Sequence, residues 1–182
     1  IGAGVVGRAI LKAHTDADVS VFVADQNQDF VHEAVEQLGL DRERWHVSPL
    51  VRLGERLPAV ELTSKADSST LSTSIVIESI AERLDVKQAF FSDAEHLFGA
   101  DAVLCSNTST LRIGAIAEAL SRPERFCGMH FFMPVDRRPA VEVIGGAKTS
   151  DSTINACTEH ARRINKEPLA VGDGPGFVVN RL

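Results

Sequence analysis

Three cysteines are all that the 182 residues contain. Cys105, Cys127 and Cys157 are odd in number and lack CxxC spacing. That argues against a disulfide framework and against a zinc site, and for a reducing, cytoplasmic compartment. Positive charge is scarce as well. The formal net charge is -6 and no long basic run exists, so no phosphate footprint for nucleic acid is expected. No stretch approaches the roughly 20 apolar residues of a membrane span. Repeats and low-complexity segments are missing too. What remains is ordinary for a soluble globular protein, with 44% hydrophobic and 24% charged residues and enough length for one sizeable core. The chain opens at Ile1 already inside a glycine motif and stops at "VVNRL", so a longer natural chain is expected at both ends.

Short β-branched runs alternate with helix-like stretches. Residues 19–25, 74–79, 102–107 and 126–132 read as buried strands. Residues 6–14, 28–38, 83–97 and 113–120 read as helices, and "SDSTINACTEHARRIN" as a last helix behind good N-cap candidates. This alternation predicts an α/β fold: a doubly wound, mostly parallel sheet with helices on both faces. Residues 41–73 are less regular and are expected to hold one further strand and a loop. Gly172, Gly174, Pro175 and Gly176 punctuate the end, which sets a domain over 1–174 and a hinge over 175–182.

"IGAGVVG" places Gly2, Gly4 and Gly7 in GxGxxG spacing, with Val5 and Val6 between them. The first glycine allows a tight turn, the second a close approach by a pyrophosphate, and the third close helix packing. Alone this is a weak signal. Asp25 strengthens it, because it ends the next apolar strand where a carboxylate would accept hydrogen bonds from an adenosine ribose. A carboxylate there repels a 2′-phosphate, so NAD is favoured over NADP.

"FCGMHFF" and "PAVEVIGG" read as an antiparallel pair around "MPVDRRP". With the turn centred on Asp136, His130 falls opposite Glu142, at the separation where cross-strand side chains touch. Neither residue suits an apolar strand unless it is paired or functional. A carboxylate on one imidazole nitrogen fixes the tautomer and leaves the other nitrogen to take a proton. Oxidation of an alcohol at a dinucleotide site needs such a base.

"IGAGVVG", "SNTSTL", "RPERFCGMHFFMPV", "VEVI" and "GPGFVVNRL" together resemble the NAD-binding domain of L-3-hydroxyacyl-CoA dehydrogenases, including that of multifunctional fatty-acid oxidation proteins. The likeness is strongest from Glu78 to Leu182, and residues 28–73 match poorly. It implies a Rossmann-type fold and oxidation of (3S)-hydroxyacyl-CoA to 3-ketoacyl-CoA with NAD. By resemblance His130 is the catalytic base, Glu142 its partner, and Ser109 the contact to the substrate hydroxyl. Asn107 lies near the nicotinamide, Asp25 with Gln26 at the ribose, and Glu82 and Lys87 beside the cofactor. Asn180 helps close the substrate site. The implied partners are an acyl-CoA substrate and, through a C-terminal helical domain beyond this chain, a second copy or a multienzyme complex. The isolated fragment is expected to bind NAD but turn over poorly.

One position departs from the family pattern. The motif usually reads HFFNP, and Met133 stands in place of its asparagine. Methionine offers a weak sulfur acceptor and no donor, so one polar contact is lost. Two rival readings follow: a non-catalytic, NAD-binding structural relative, and a dehydrogenase of a free 3-hydroxy acid. Arg137 and Arg138 in the same turn read as a solvated pair.

Overall fold

A computed structural model describes residues 1–39, 45–49, 59–64, 74–98 and 100–178. Helix α1 (Val5–Asp16) follows the glycine loop directly and leads to strand β1 (Val21–Ala24). Helix α2 (Gln28–Gln37) starts at Asn27, whose side chain accepts from the Asp29 amide and so satisfies one orphan donor of the first turn. Strands β2 (Trp45–Pro49) and β3 (Ala59–Ser64) come next, then β4 (Ile75–Glu78), α3 (Leu84–Leu97), β5 (Val103–Ser106) and the short α4 (Ile113–Ala117). Strands β6 (Phe126–Phe131) and β7 (Ala140–Gly145), helix α5 (Asp151–Arg163) and strand β8 (Glu167–Gly172) complete the chain.

Five strands form one sheet in the order β4-β5-β6-β7-β8. All its pairings are parallel except β6 with β7, the antiparallel pair expected around Asp136. A second, antiparallel sheet runs β1-β3-β2. Residues 1–3 join the two: the Gly2 amide donates to Ala24, while Ile1 exchanges backbone hydrogen bonds with Ile77 and Ser79. Two findings differ from the sequence reading. The 41–73 region carries two paired strands instead of one, and "EPLAVG" is an edge strand. Its exposed residues gave it no buried apolar period to recognise.

Side-chain alternation sorts the core onto two faces. Cys105, Cys127, Met129, Phe131, Val141 and Val143 pack under α1 and α5. Leu104, Phe126 and Ile144 face the other way, against Phe91 of α3 and Ile113 and Ile116 of α4. His130 and Glu142 share the parity of Phe126 and Ile144, so they lie on the α4 side at the carboxyl end of β6. That edge, where β4, β5 and β6 end, is where open α/β sheets bind ligands. Among the described residues no helix is long and apolar enough to cross a membrane.

Candidate active site

The glycine loop is held by contacts that only glycine allows. Gly2 sits at φ +89°, and a Cβ on it would stand 2.5 Å from the Ser79 carbonyl oxygen. A Cβ on Gly7 would stand 1.7 Å from the Gly2 oxygen, so α1 packs against its own loop. Gly4 differs, since a Cβ there would meet nothing within 4 Å. The space above it is open to a ligand. Gly4 caps α1 without a side-chain hydrogen bond, and no acidic residue occupies the first turn. The amide dipoles there favour an anion. Val5 is exposed beside this space, while Val6 packs into the core.

Asp25 closes the loop from the end of β1. Its Oδ2 accepts from the Ala3 amide at 2.7 Å and its Oδ1 from the Asn27 amide at 2.9 Å. Each carboxylate oxygen can take a second bond, so lone pairs remain for ribose hydroxyls. Gln26 is exposed next to it. These residues fit a dinucleotide: an open glycine, an uncapped helix end and a carboxylate at ribose distance in the chain.

Around the ends of β4 and β5 lies a buried polar network. Glu78 is fully buried and accepts from Lys87 Nζ at 2.5 Å, Ser106 Oγ at 2.7 Å and the Ile80 amide at 2.6 Å. Lys87 is 1% exposed and also lies 3.5 Å from Glu82. It therefore points inward beneath the 80–82 loop. Glu82 holds the neighbouring loop: its Oε1 accepts from Thr108 Oγ1 at 2.6 Å and from the Ser109 amide and the Thr110 amide and hydroxyl at 2.9 Å each. Burial opposes its charge, but these bonds from Thr108, Thr110 and Ser109 outweigh it and lower the Glu82 pKa. Ser109 is thus fixed by its backbone. Asn107 spans two strand ends, donating to Ser79 Oγ at 3.3 Å and accepting from the Phe131 amide at 2.8 Å.

His130 stands opposite Glu142 in the β6–β7 register, and its Nδ1 lies 2.9 Å from Glu142 Oε2. Both are buried, at 4% and 0% exposure. A carboxylate only accepts, so Nδ1 carries the proton and Nε2 presents a lone pair. Phe132 packs edge-on to the ring at 4.6 Å and Phe177 lies at 5.8 Å. The Val178 amide donates to Glu142 Oε1 at 2.9 Å, so the segment after β8 returns to the site. Asp173 anchors that return by accepting from the Ile113 and Gly114 amides at the start of α4, both at 2.9 Å. Met133 is 44% exposed at the rim. Arg137 and Arg138 are exposed in the turn. Asn180 lies outside the described residues.

The family of the 3-hydroxyacyl-CoA dehydrogenase, NAD binding domain, matches residues 1–174. The chain belongs to this family. It is an NAD-binding domain of the 3-hydroxyacyl-CoA dehydrogenase type. It is 36% identical to the fatty acid oxidation complex subunit alpha of Idiomarina loihiensis, over all of this chain and 26% of that one. The (S)-3-hydroxybutyryl-CoA dehydrogenase of Ralstonia eutropha superposes with a TM-score of 0.78 at 31% identity, covering 100% of this chain and 65% of that structure. The 3-hydroxybutyryl-CoA dehydrogenase of Escherichia coli K12 gives 0.74 at 27% identity, over 99% of this chain and 39% of its own. The chain therefore spans about a quarter of the curated relative and under two thirds of these two structures.

Sequence reasoning left several residues of this 3-hydroxyacyl-CoA dehydrogenase domain unassigned. Glu78 and Ser106 sit at strand ends, and Thr108, Asp173 and Phe177 in loops. Glu78 had a readable signal, since it is a carboxylate closing the apolar run "IVIE", the same anomaly that drew attention to Glu142. Asp173 had none, because its partners lie 60 and 59 residues away.

Proposed function

We propose that the protein carrying this domain oxidises (3S)-hydroxyacyl-CoA to 3-ketoacyl-CoA with NAD, as a step of fatty-acid β-oxidation. NAD, when bound, supplies the hydride acceptor. The chain's own residues do the rest. The glycine loop and the α1 amides hold the diphosphate, and Asp25 with Gln26 holds the ribose. Glu82 and Asn107 border the nicotinamide, and Lys87 supports that edge from below. Ser109 Oγ meets the substrate hydroxyl, and Asn180 contributes to the substrate site. His130 Nε2 takes the hydroxyl proton as hydride departs. Glu142 keeps the ring in the tautomer that can do so and stabilises the imidazolium that forms.

The observation carrying this reading is the buried His130–Glu142 pair, whose geometry leaves Nε2 as the acceptor at the sheet edge beside the Ser109 loop. The names of the relatives support the thioester substrate class, and the subunit relative supports assembly into a multienzyme complex. The test is NADH oxidation by the full-length protein with acetoacetyl-CoA, parent against His130→Gln, after both are shown to bind NADH equally. A parent that binds NADH yet turns over nothing would replace this reading with that of a non-catalytic NAD-binding relative. Preference for the free 3-keto acid over its CoA thioester would replace the substrate class.

A further inference from the structure

The three cysteines, scattered in sequence, converge in the core. Cys105 and Cys127 are direct neighbours on the parallel strands β5 and β6, and Cys157 descends on them from α5. Their Sγ atoms lie 3.7 Å (105 to 127), 3.5 Å (105 to 157) and 3.2 Å (127 to 157) apart. All three side chains are fully buried. They belong to an apolar core cluster that also holds Met129, Val143 and Ala161, with Ile154 packed against it.

We propose that Cys105, Cys127 and Cys157 form a tridentate thiol site for a trivalent thiophilic metalloid, of which arsenite is the simplest probe. Geometry and charge both select this class. An atom bonded at about 2.3 Å to every sulfur, the length of a zinc–thiolate bond, would stand about 1 Å out of the plane of so small a triangle. That is the pyramid of a trivalent centre with a lone pair. A planar three-coordinate ion at the same bond length would need sulfurs about 4 Å apart. A divalent ion with three thiolates would leave a net negative charge in an apolar cluster, which is costly. The trivalent adduct is neutral.

The reaction balances without an oxidant. Three As–O bonds of arsenous acid break and three As–S bonds form. Each thiol proton leaves with a hydroxyl as water, and arsenic stays trivalent. The reagent reaches the sulfurs through local opening of the α5 contact.

The test treats the full-length protein, free of added thiols, with arsenite and reads it by native mass spectrometry and thermal unfolding. The expected result is one arsenic per chain bound at the trio with loss of three protons, and an unfolding midpoint that rises with arsenite concentration. Cys157→Ala and Cys105→Ala each leave two sulfurs on different elements, and each should weaken this adduct roughly 10²-fold. Parental NADH binding shows that a variant is folded, and two variants keep the test readable if one is not. No adduct on the folded parent, or an adduct equally tight in both variants, overturns the proposal.

Discussion

His130 and His14 are buried almost equally, at 4% and 5% exposure, and each joins two elements through a ring nitrogen. Their partners differ. His130 on β6 meets the Glu142 carboxylate of β7 at the sheet edge. His14 on α1 meets a second imidazole, His160 of α5, with Nε2 atoms 2.8 Å apart on the helix-covered face. The His14 Nδ1–H donates to the Ile10 carbonyl at 2.8 Å, so its Nε2 must accept and His160 must donate. The carboxylate supplies the negative charge that an imidazolium needs beside it. The second imidazole supplies none. Burial pushes His14 down to about 4 and His160 down to about 3, the latter aided by the neighbouring His14 ring and Arg163. Equal burial therefore meets opposite surroundings: one ring lies beside a carboxylate, and the other lies beside a second imidazole and is held neutral.

The largest expected effect comes from breaking the first pair. His130→Gln in the full-length protein should lose about 10²–10⁴-fold in kcat, the usual worth of a positioned acid–base group, with NADH binding unchanged. A loss smaller than about tenfold would remove His130 from the proton-transfer step. Glu142→Gln should cost about 10²-fold by another route. An amide whose oxygen accepts from Val178 turns its NH₂ toward His130 Nδ1. The ring then carries its proton on Nε2 and can no longer take one. Near-parental turnover in Glu142→Gln would show that the carboxylate does not set the tautomer.

The second pair predicts stability instead of rate. Both of its histidines have lowered values in the folded protein, so the unfolded chain binds more protons from pH 6.5 down to about 4 for His14 and about 3 for His160. Stability is complete above pH 6.5 and falls as pH drops through that window. The His14 shift from 6.5 to about 4 corresponds to about 3 kcal/mol. Denaturant unfolding between pH 7 and 4 reads this loss. The double variant His14→Phe with His160→Leu should flatten the acid limb while leaving turnover at pH 7 intact. An unchanged acid limb would place the sensitivity elsewhere.

The two pairs also differ in how much of them the sequence revealed. The His130–Glu142 register followed from one local fact, a turn centred on Asp136, because strands pair symmetrically about a hairpin. The glycine loop and Asp25 were readable for a similar reason, since the Gly7–Gly2 and Asp25–Ala3 contacts lie within the first 25 residues, although Gly2 also meets Ser79. His14 and His160 are 146 residues apart, and the cysteine trio spans three elements. Nothing in a lone histidine or cysteine states which distant element will cover it. The strands β2, β3 and β8 escaped full recognition too, because their pairing partners are set by tertiary packing and not by a local buried period.

A smaller effect sharpens the contrast at the open pair. Met133 lies three residues beyond His130 and is 44% exposed, at the position where the resemblance leads one to expect asparagine. A thioether cannot donate, so whatever polar contact that position offers a bound ligand is reduced. Met133→Asn should raise kcat/KM several-fold, in line with the gain of one hydrogen bond worth about 1 kcal/mol. Stability should stay within about 0.5 kcal/mol, as for most exposed substitutions. Such a gain would show that the edge pair depends on its exposed neighbours. An unchanged kcat/KM with unchanged NADH affinity would show instead that the His130 site is complete without that contact.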